Sequence, residues 1–337
     1  MKALTLKQPG GLNNIQVVDA PDAPSPGHGE IKVRIAAGSL NYHDLLVAEG
    51  ALGTEDDRIL LSDGAGVVEE VGAGVTEFSV GDSVVSAFFP QWLNGPADAS
   101  VSDFALTPGD GVDGMAAEVV TRPANAFTLA PKGWSHQESA SITTAGVTAW
   151  RALVSDGQLQ AGDTIVTLGT GGVSIAALQI AKMFGARVIS TSSSEKKLAR
   201  LEALGADETI NYRATPDWGA KVLELTEGQG AKHIIEVGGP GTIEQSVQAV
   251  APGGHISLIG VLTGFEGNLP TAALMFKQVR LQGLLVGSRQ HQVDYVRALE
   301  MNEYRPVIDR NFGFEELADA FAYQKSGAHF GKVAVTW

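Results

Sequence analysis

The chain has 337 residues, 44% of them hydrophobic and 18% charged, the balance of an ordinary globular protein with length enough for two domains. Its 24 basic and 38 acidic residues leave a net charge of −14, which argues against nucleic acid or an anionic membrane as partner. It contains no cysteine, which removes disulfides, thiolate nucleophiles and every cysteine-based metal site at once.

From Met1 to about Ala126 the texture is that of short strands and turns. Ile31–Ile35 alternates with period two behind a stiff loop that carries Pro21, Pro24, Pro26 and Gly27. Gly64–Val75 reads as strands broken by glycine turns, and Gly81–Phe89 as a turn followed by a strand. The long loop Pro90–Gly114 follows, and loops of that length in a compact domain are usually functional. Phe88, Phe89 and Trp92 either line an apolar pocket for a flat substrate or belong to the core. No apolar run reaches membrane length, and Met1–Leu6 does not lead into a signal-peptide core, so a cytoplasmic protein is expected.

From about Phe127 the pattern becomes helical and then alternates. Ser135, with Glu138 three residues on, caps an expected helix near Gln137–Ile142, and Thr148–Ser155 reads as a second. Next comes the most informative stretch, Thr164–Lys182. A β-branched run turns through Gly169, Gly171 and Gly172 and continues at helical spacing, with Ile175, Leu178 and Ala181 on one stripe, to Gly185. The strand Arg187–Thr191 follows directly, which completes the βαβ unit of a dinucleotide-binding fold. Gly169 permits the tight turn, and Gly171 lets the backbone approach a pyrophosphate at the N-terminus of the helix. Ser174 stands where the third glycine of the usual pattern would be, at a position where a small residue is needed for helix and strand to pack closely.

The alternation then continues. Ser194–Leu204, Trp218–Leu225 and Thr242–Val250 are expected helices; strands are expected to end near Tyr212 and to cover His233–Val237, His255–Gly260 and Val279–Val286. Strand–helix alternation of this kind predicts a doubly wound parallel sheet. Helices at Gln292–Asn302 and Phe314–Gln324 and a strand at Lys332–Thr336 follow, and that strand most simply completes the first domain. The expected class is therefore α/β, with a β-rich domain of residues 1–126 and 287–337 and an inserted domain of residues 127–286.

The chain resembles the medium-chain dehydrogenase/reductases over essentially its full length. The landmarks are Gly64-Ala65-Gly66, Val71-Gly72, Gly74-Val75, Gly81-Asp82, the turn Gly169–Val173, Leu204–Asp207, Gly238-Gly239, Gly253-Gly254 and Gly327–Lys332. Within that superfamily it is similar to the zinc-free, quinone oxidoreductase-like branch, which includes proteins called zinc-type alcohol dehydrogenase-like. The resemblance implies a GroES-like catalytic domain, an inserted Rossmann domain, and a homodimer paired through the strand Val279–Val286.

In zinc-dependent relatives the ligand positions match Asn41, Ser62-Asp63 and Thr144 here, and none of Asn41, Ser62 and Thr144 is a usual zinc ligand, so no metal is expected. His43, Asp44 and Asp63 are expected to form a hydrogen-bonded polar cluster. An NAD enzyme wants a carboxylate after the second strand of the βαβ unit, where this chain has Thr191–Ser194. Hydroxyls and a lysine suit a 2′-phosphate instead, so NADPH is the expected cofactor. By resemblance Ser192, Ser193 and Lys197 hold that phosphate, and Tyr212 lies at the adenine ribose end. The pyrophosphate turn is Gly169, Thr170, Gly171, Gly172 and Val173, and Gly238 and Gly260 join the cofactor set. Asn41, Thr144, Val261, Val286, Gly287 and Ser288 approach the nicotinamide.

Asn41-Tyr42-His43-Asp44 fits the Asn-x-x-Asp signature of the zinc-free branch. Asn41 and Asp44 also read as caps of a helix beginning there. Tyr42 and His43 are alternative proton donors, and Asn41, Tyr42 and His43 form the expected catalytic set. Without a Lewis acid a simple ketone is hard to polarise, so a quinone or α,β-unsaturated carbonyl is the expected acceptor. Two other readings stay open: a metal-independent NADP-dependent alcohol dehydrogenase or carbonyl reductase, and a crystallin-like NADPH-binding protein with little activity.

Overall fold

The computed structural model describes residues 1–101 and 104–337. The chain divides into two compact units, Met1–Val147 with Val286–Trp337, and Thr148–Leu285. The first boundary thus lies after Val147, not after Ala126 as the change of texture suggests. The reason is packing: Phe127–Leu129 pairs with the strand Ser83–Ser86, and the helix His136–Ala140 lies on the strands Glu30–Ser39 and Asp63–Val71 of the first unit. The second boundary falls between Leu285 and Val286, one residue before the expected position.

In the first unit, a small sheet orders Ile15–Asp19, Lys2–Leu6 and Arg58–Ile59. The large sheet runs Ile308–Gly313, Lys332–Thr336, Glu30–Ser39, Asp63–Val71, Ser83–Ser86, Phe127–Leu129, with Val119–Pro123 pairing on Glu30–Ser39. Lys332–Thr336 joins Glu30–Ser39 antiparallel, with Ala334 opposite Ser39 and Thr336 opposite Ala37. Alternating apolar residues of these strands, among them Ile31, Val33, Ile35, Val68 and Val84, pack around Phe127 and Met115 as one core. The Gly64-Ala65-Gly66 landmark is a place of close approach, because a Cβ on Gly66 would lie 1.9 Å from the Arg34 carbonyl oxygen. Phe88, Phe89 and Trp92 are buried, with Phe88 edge-on to Phe89 and Phe104, and Phe89 tilted against Trp92 and stacked on Phe104.

The second unit is a six-stranded sheet in the order Glu208–Asn211, Arg187–Ser192, Thr164–Leu168, Ala231–Glu236, Val250–Leu258, Arg280–Gly283, every pair parallel. The first strand in sequence is central, so strand order reverses beside it, which is where open α/β sheets bind ligands. Val166, Ile189, Ile210, Ile234 and Ile256 of this sheet share a core with Trp218, Val222 and Val247 from the helices. Its edge strand is shorter than the expected Val279–Val286. Pairing stops at Gly283, and at Val286 the backbone turns to a φ of 41°.

Two helical segments also differ from expectation. Ile142–Gly146 and Arg151–Ser155 are π-helical turns flanking a short α-helix at Val147–Trp150. Such turns widen the hydrogen-bond spacing and often mark functional segments. Thr144 sits in the first of them.

Candidate active site

The expected site residues fall into two groups, one on each unit. In the second unit the turn after Thr164–Leu168 has Gly169 at a φ of 73°, and its N–H donates to the Thr191 carbonyl oxygen at 2.9 Å. Gly171 is the N-cap residue of the helix Gly172–Met183, which has no side-chain cap. A Cβ built on Gly169 or Gly171 meets nothing within 4 Å, so the turn is an open cradle below uncapped backbone N–H groups. A pyrophosphate fits that arrangement.

Ser174 is buried and donates to the Leu168 carbonyl oxygen at 2.7 Å, tying the helix to the strand. Ser192 is buried and accepts from the Ser194 N–H at 3.4 Å, whereas Ser193 and Lys197 are half-buried. Glu195 accepts from the side-chain amide of Asn211, and Tyr212 is 40% exposed. At the end of Ala231–Glu236, buried Glu236 accepts from the N–H groups of Gly238 and Gly239 and from the hydroxyls of Thr242 and Ser246. Thr263 bonds to Gly238 and Gly241, so the turns that carry Gly238, Gly260 and Val261 form one network.

In the first unit, Asn41 caps the helix Tyr42–Ala48, and Asp44 reaches back to the Asn41 N–H at 2.9 Å. Of the two capping roles suggested by the spacing, Asp44 fills its own through its side chain, whereas Asn41 holds the N-cap position without a side-chain cap bond. Asp44 also accepts from the Asn41 side-chain amide at 2.9 Å and from the Ser62 N–H at 2.8 Å. Burial pushes the Asp44 carboxyl up from its ordinary pKa, Asp63 adds to that, and the neighbouring His43 and these hydrogen bonds oppose it. Asp63 is fully buried; Thr144 Oγ1 donates to its Oδ1 and Ser39 Oγ to its Oδ2, each at 2.6 Å.

The charge that balances this cluster comes from a residue absent from the expected set. Lys332, 5% exposed, donates from Nζ to the Leu40 carbonyl oxygen at 2.7 Å, Asn41 Oδ1 at 2.5 Å and Asp63 Oδ2 at 3.3 Å. A lysine before an apolar run is easily read as a surface residue. The one signal for its burial is that it opens a strand whose next three residues are Val333, Ala334 and Val335, all buried.

Tyr42 is 39% exposed, but His43 turns elsewhere. Its Nε2 lies 3.2 Å from Asp110 Oδ2, and its ring packs against Phe88 and Phe104 with centroids 5.3 and 4.7 Å away. Ser288 is buried and caps the helix Arg289–Glu300, its N–H donating to His291 Nδ1 at 3.1 Å. Gly287 packs so tightly that a Cβ would lie 2.7 Å from Val147 Cγ1.

Residues 27–132 match the sequence model of an alcohol dehydrogenase GroES-like domain, and residues 172–301 that of a zinc-binding dehydrogenase. A zinc-type alcohol dehydrogenase-like protein of Schizosaccharomyces pombe is 40% identical over 316 residues, 91% of this chain and 90% of that one. The chain belongs to the medium-chain dehydrogenase/reductase superfamily.

It is thus an oxidoreductase of a superfamily that works with a nicotinamide cofactor. A crystal structure from Sinorhizobium meliloti 1021, named provisionally as an alcohol dehydrogenase, is 42% identical with a TM-score of 0.93, covering 100% of this chain and 98% of its own. An NAD-dependent alcohol dehydrogenase structure is 35% identical with a TM-score of 0.90, and each chain is covered in full. More distant members include a quinone oxidoreductase of Pseudomonas syringae pv. tomato DC3000, 27% identical, and an acryloyl-coenzyme A reductase of Sulfurisphaera tokodaii, 26% identical.

The zinc in the description of the matching dehydrogenase model does not fit the residues at the positions the resemblance assigns to its ligands. At the ligand positions of zinc-dependent members, the Asn41 amide oxygen is bound to an ammonium and the Thr144 hydroxyl is committed to Asp63. Ser62 offers a neutral hydroxyl, and Lys332 already puts a cation among them. Among the described residues no three His, Asp or Glu side chains are grouped to hold a metal, and no helix is long and apolar enough to cross a membrane.

Proposed function

We propose that this oxidoreductase is an NADPH-dependent, metal-independent reductase of quinones or α,β-unsaturated carbonyls. The observation that carries the reading is Lys332 Nζ, 2.5 Å from Asn41 Oδ1, within the residues that would have to bind a metal. With the chain's own cation there, a simple ketone gains no Lewis-acid activation. A conjugated acceptor needs less, because its negative charge spreads onto oxygen as the hydride arrives. NADPH supplies that hydride when bound. Ser192, Ser193 and Lys197 favour its 2′-phosphate over a bare ribose. Tyr42, half exposed at the start of its helix, is the phenol available to hold or protonate the developing oxyanion.

The name of the 35% identical NAD-dependent alcohol dehydrogenase favours a second reading, reversible metal-independent oxidation of an alcohol. A single screen separates them. Oxidation of NADPH and NADH is followed with a quinone, an enone, a saturated ketone and an aldehyde, and alcohols are tested in reverse, all before and after prolonged chelation. Rapid NADPH-linked reduction of quinone or enone, unaffected by chelation, is expected. Alcohol oxidation with NAD, or stoichiometric zinc whose removal abolishes activity, would overturn the reading. Cofactor binding without turnover of any substrate would leave only a crystallin-like binding role.

A further inference from the structure

Lys332 does more than neutralise Asp63. An ammonium has only donors, and the three oxygens around Lys332 Nζ use all of them. An asparagine amide can present either its oxygen or its nitrogen to a neighbour, and facing an ammonium it can present only oxygen. Asn41 is therefore held with Oδ1 on Lys332 and Nδ2 towards Asp44 Oδ2 at 2.9 Å and Ser62 Oγ at 3.4 Å. The same logic runs through the other arm of the ion pair. Asp63 is a carboxylate acceptor, so Thr144 spends its proton on Oδ1 and Ser39 spends its own on Oδ2. Thr144, half-buried, can then only accept from any group that approaches it.

We propose that the buried pair Lys332–Asp63 sets the hydrogen-bond polarity of the site, fixing Asn41 in one amide orientation and making Thr144 an obligate acceptor. Both are positioning residues. The group that Thr144 receives must carry an N–H or O–H. A buried ion pair is a weak source of stability, and similar apolar residues often serve as well, so the orientation it imposes is the more specific consequence of this one. The inference rests on the reductase reading for what is being oriented, but not for the orientation itself.

The test uses the full-length protein and three variants: Lys332→Met, Lys332→Arg and the double variant Lys332→Met/Asp63→Asn. The double variant removes both charges of the pair together and keeps the shape of both side chains, with Asp44 left in place in both methionine variants. If the pair is only structural, the double variant recovers what Lys332→Met loses. If it sets polarity, melting temperature recovers but turnover does not. With an enone, kcat is expected to fall about tenfold to a hundredfold in both, the size expected for a misplaced site group, with a smaller change in KM for the enone. Lys332→Arg should restore part of the loss. The Asn41 side-chain amide signals, identified by their absence in Asn41→Asp, should move in Lys332→Met without substrate or cofactor. Wild-type kcat in either folded methionine variant, or unmoved Asn41 signals, would overturn the proposal. If the wild type turns over nothing, the reductase reading fails, and the amide signals alone decide this one.

Discussion

Ser174 Oγ donates to the Leu168 carbonyl oxygen at 2.7 Å, across the turn that joins the first strand of the nucleotide unit to its helix. A serine in place of the usual glycine thus adds a buried bond without closing the cradle at Gly169 and Gly171. Ser174→Ala should cost about 1 kcal/mol of stability, and Ser174→Gly about 1 kcal/mol more from helix propensity. Denaturant midpoints measure both. Cofactor affinity should stay close to wild type, and a large loss in Ser174→Ala would mean that the serine touches the cofactor.

Lys197→Ala should raise KM for NADPH and leave that for NADH nearly unchanged. Loss of a partly exposed phosphate contact is worth about 1–2 kcal/mol, or roughly fivefold to thirtyfold in affinity. Equal affinities of the wild type for the two cofactors would contradict this.

Tyr42→Phe and His43→Ala are expected to fail in different ways. His43 is wedged against Phe88, Phe104 and Asp110, so its loss should lower the melting temperature. Tyr42 should lose enone turnover by about tenfold or more while melting normally. A normal rate in Tyr42→Phe would move the proton donor elsewhere or to solvent.

His255 gives a signed pH dependence. It is buried beside the Arg280 guanidinium, which donates to its Nδ1, and His233 lies next to it, hydrogen-bonded to Asp163. Burial, Arg280 and His233 hold its pKa down from 6.5 to about 3. The unfolded chain therefore takes a proton that the fold refuses. Stability is complete above about pH 6.5 and falls as pH drops towards 3, at most by about 1.4 kcal/mol per unit. His255→Gln, which still offers Arg280 an acceptor, should unfold in urea with a shallower loss between pH 7 and 4.5. Parallel curves would remove His255 from the account.

The second unit carries a run of exposed apolar side chains, Leu262, Phe265, Leu269, Met275 and Phe276, with the two phenylalanines 74% and 79% exposed. The edge strand Arg280–Gly283 follows them. A homodimer that covers this surface is expected. Sedimentation should give twice the chain mass, and Phe276→Asp should shift the balance to monomer. A monomeric wild type at micromolar concentration would refute it.

What could be read from the sequence was local. The βαβ unit shows itself because a β-branched run, glycines of known conformational use and a helical stripe lie within about twenty consecutive residues. The Ser135–Glu138 box and the Asn41–Asp44 cap are legible for the same reason. Lys332 was not, because its partners Leu40, Asn41 and Asp63 are brought to it only by sheet register. Nor was the Asp110 partner of His43, which sits in a long loop without periodicity. The π-helical turns escaped because they change hydrogen-bond spacing without changing composition. The edge strand was overextended because Leu284–Val286 is apolar, and hydrophobicity alone does not report a left-handed φ.

The pairing of Lys332–Thr336 with Glu30–Ser39 also orders events in time. Lys332 and the Leu40 carbonyl that it binds are 292 residues apart, and the whole second unit lies between them in the chain. During synthesis, the parallel sheet has all its strands before the strand that carries Lys332 exists. Asp63 is thus made long before the lysine that pairs with it, and only the register of the last strand brings the two together. The charge cluster is the step at which the first unit becomes complete, and truncation before Lys332 would leave a nucleotide-binding unit attached to an open, acidic sheet edge.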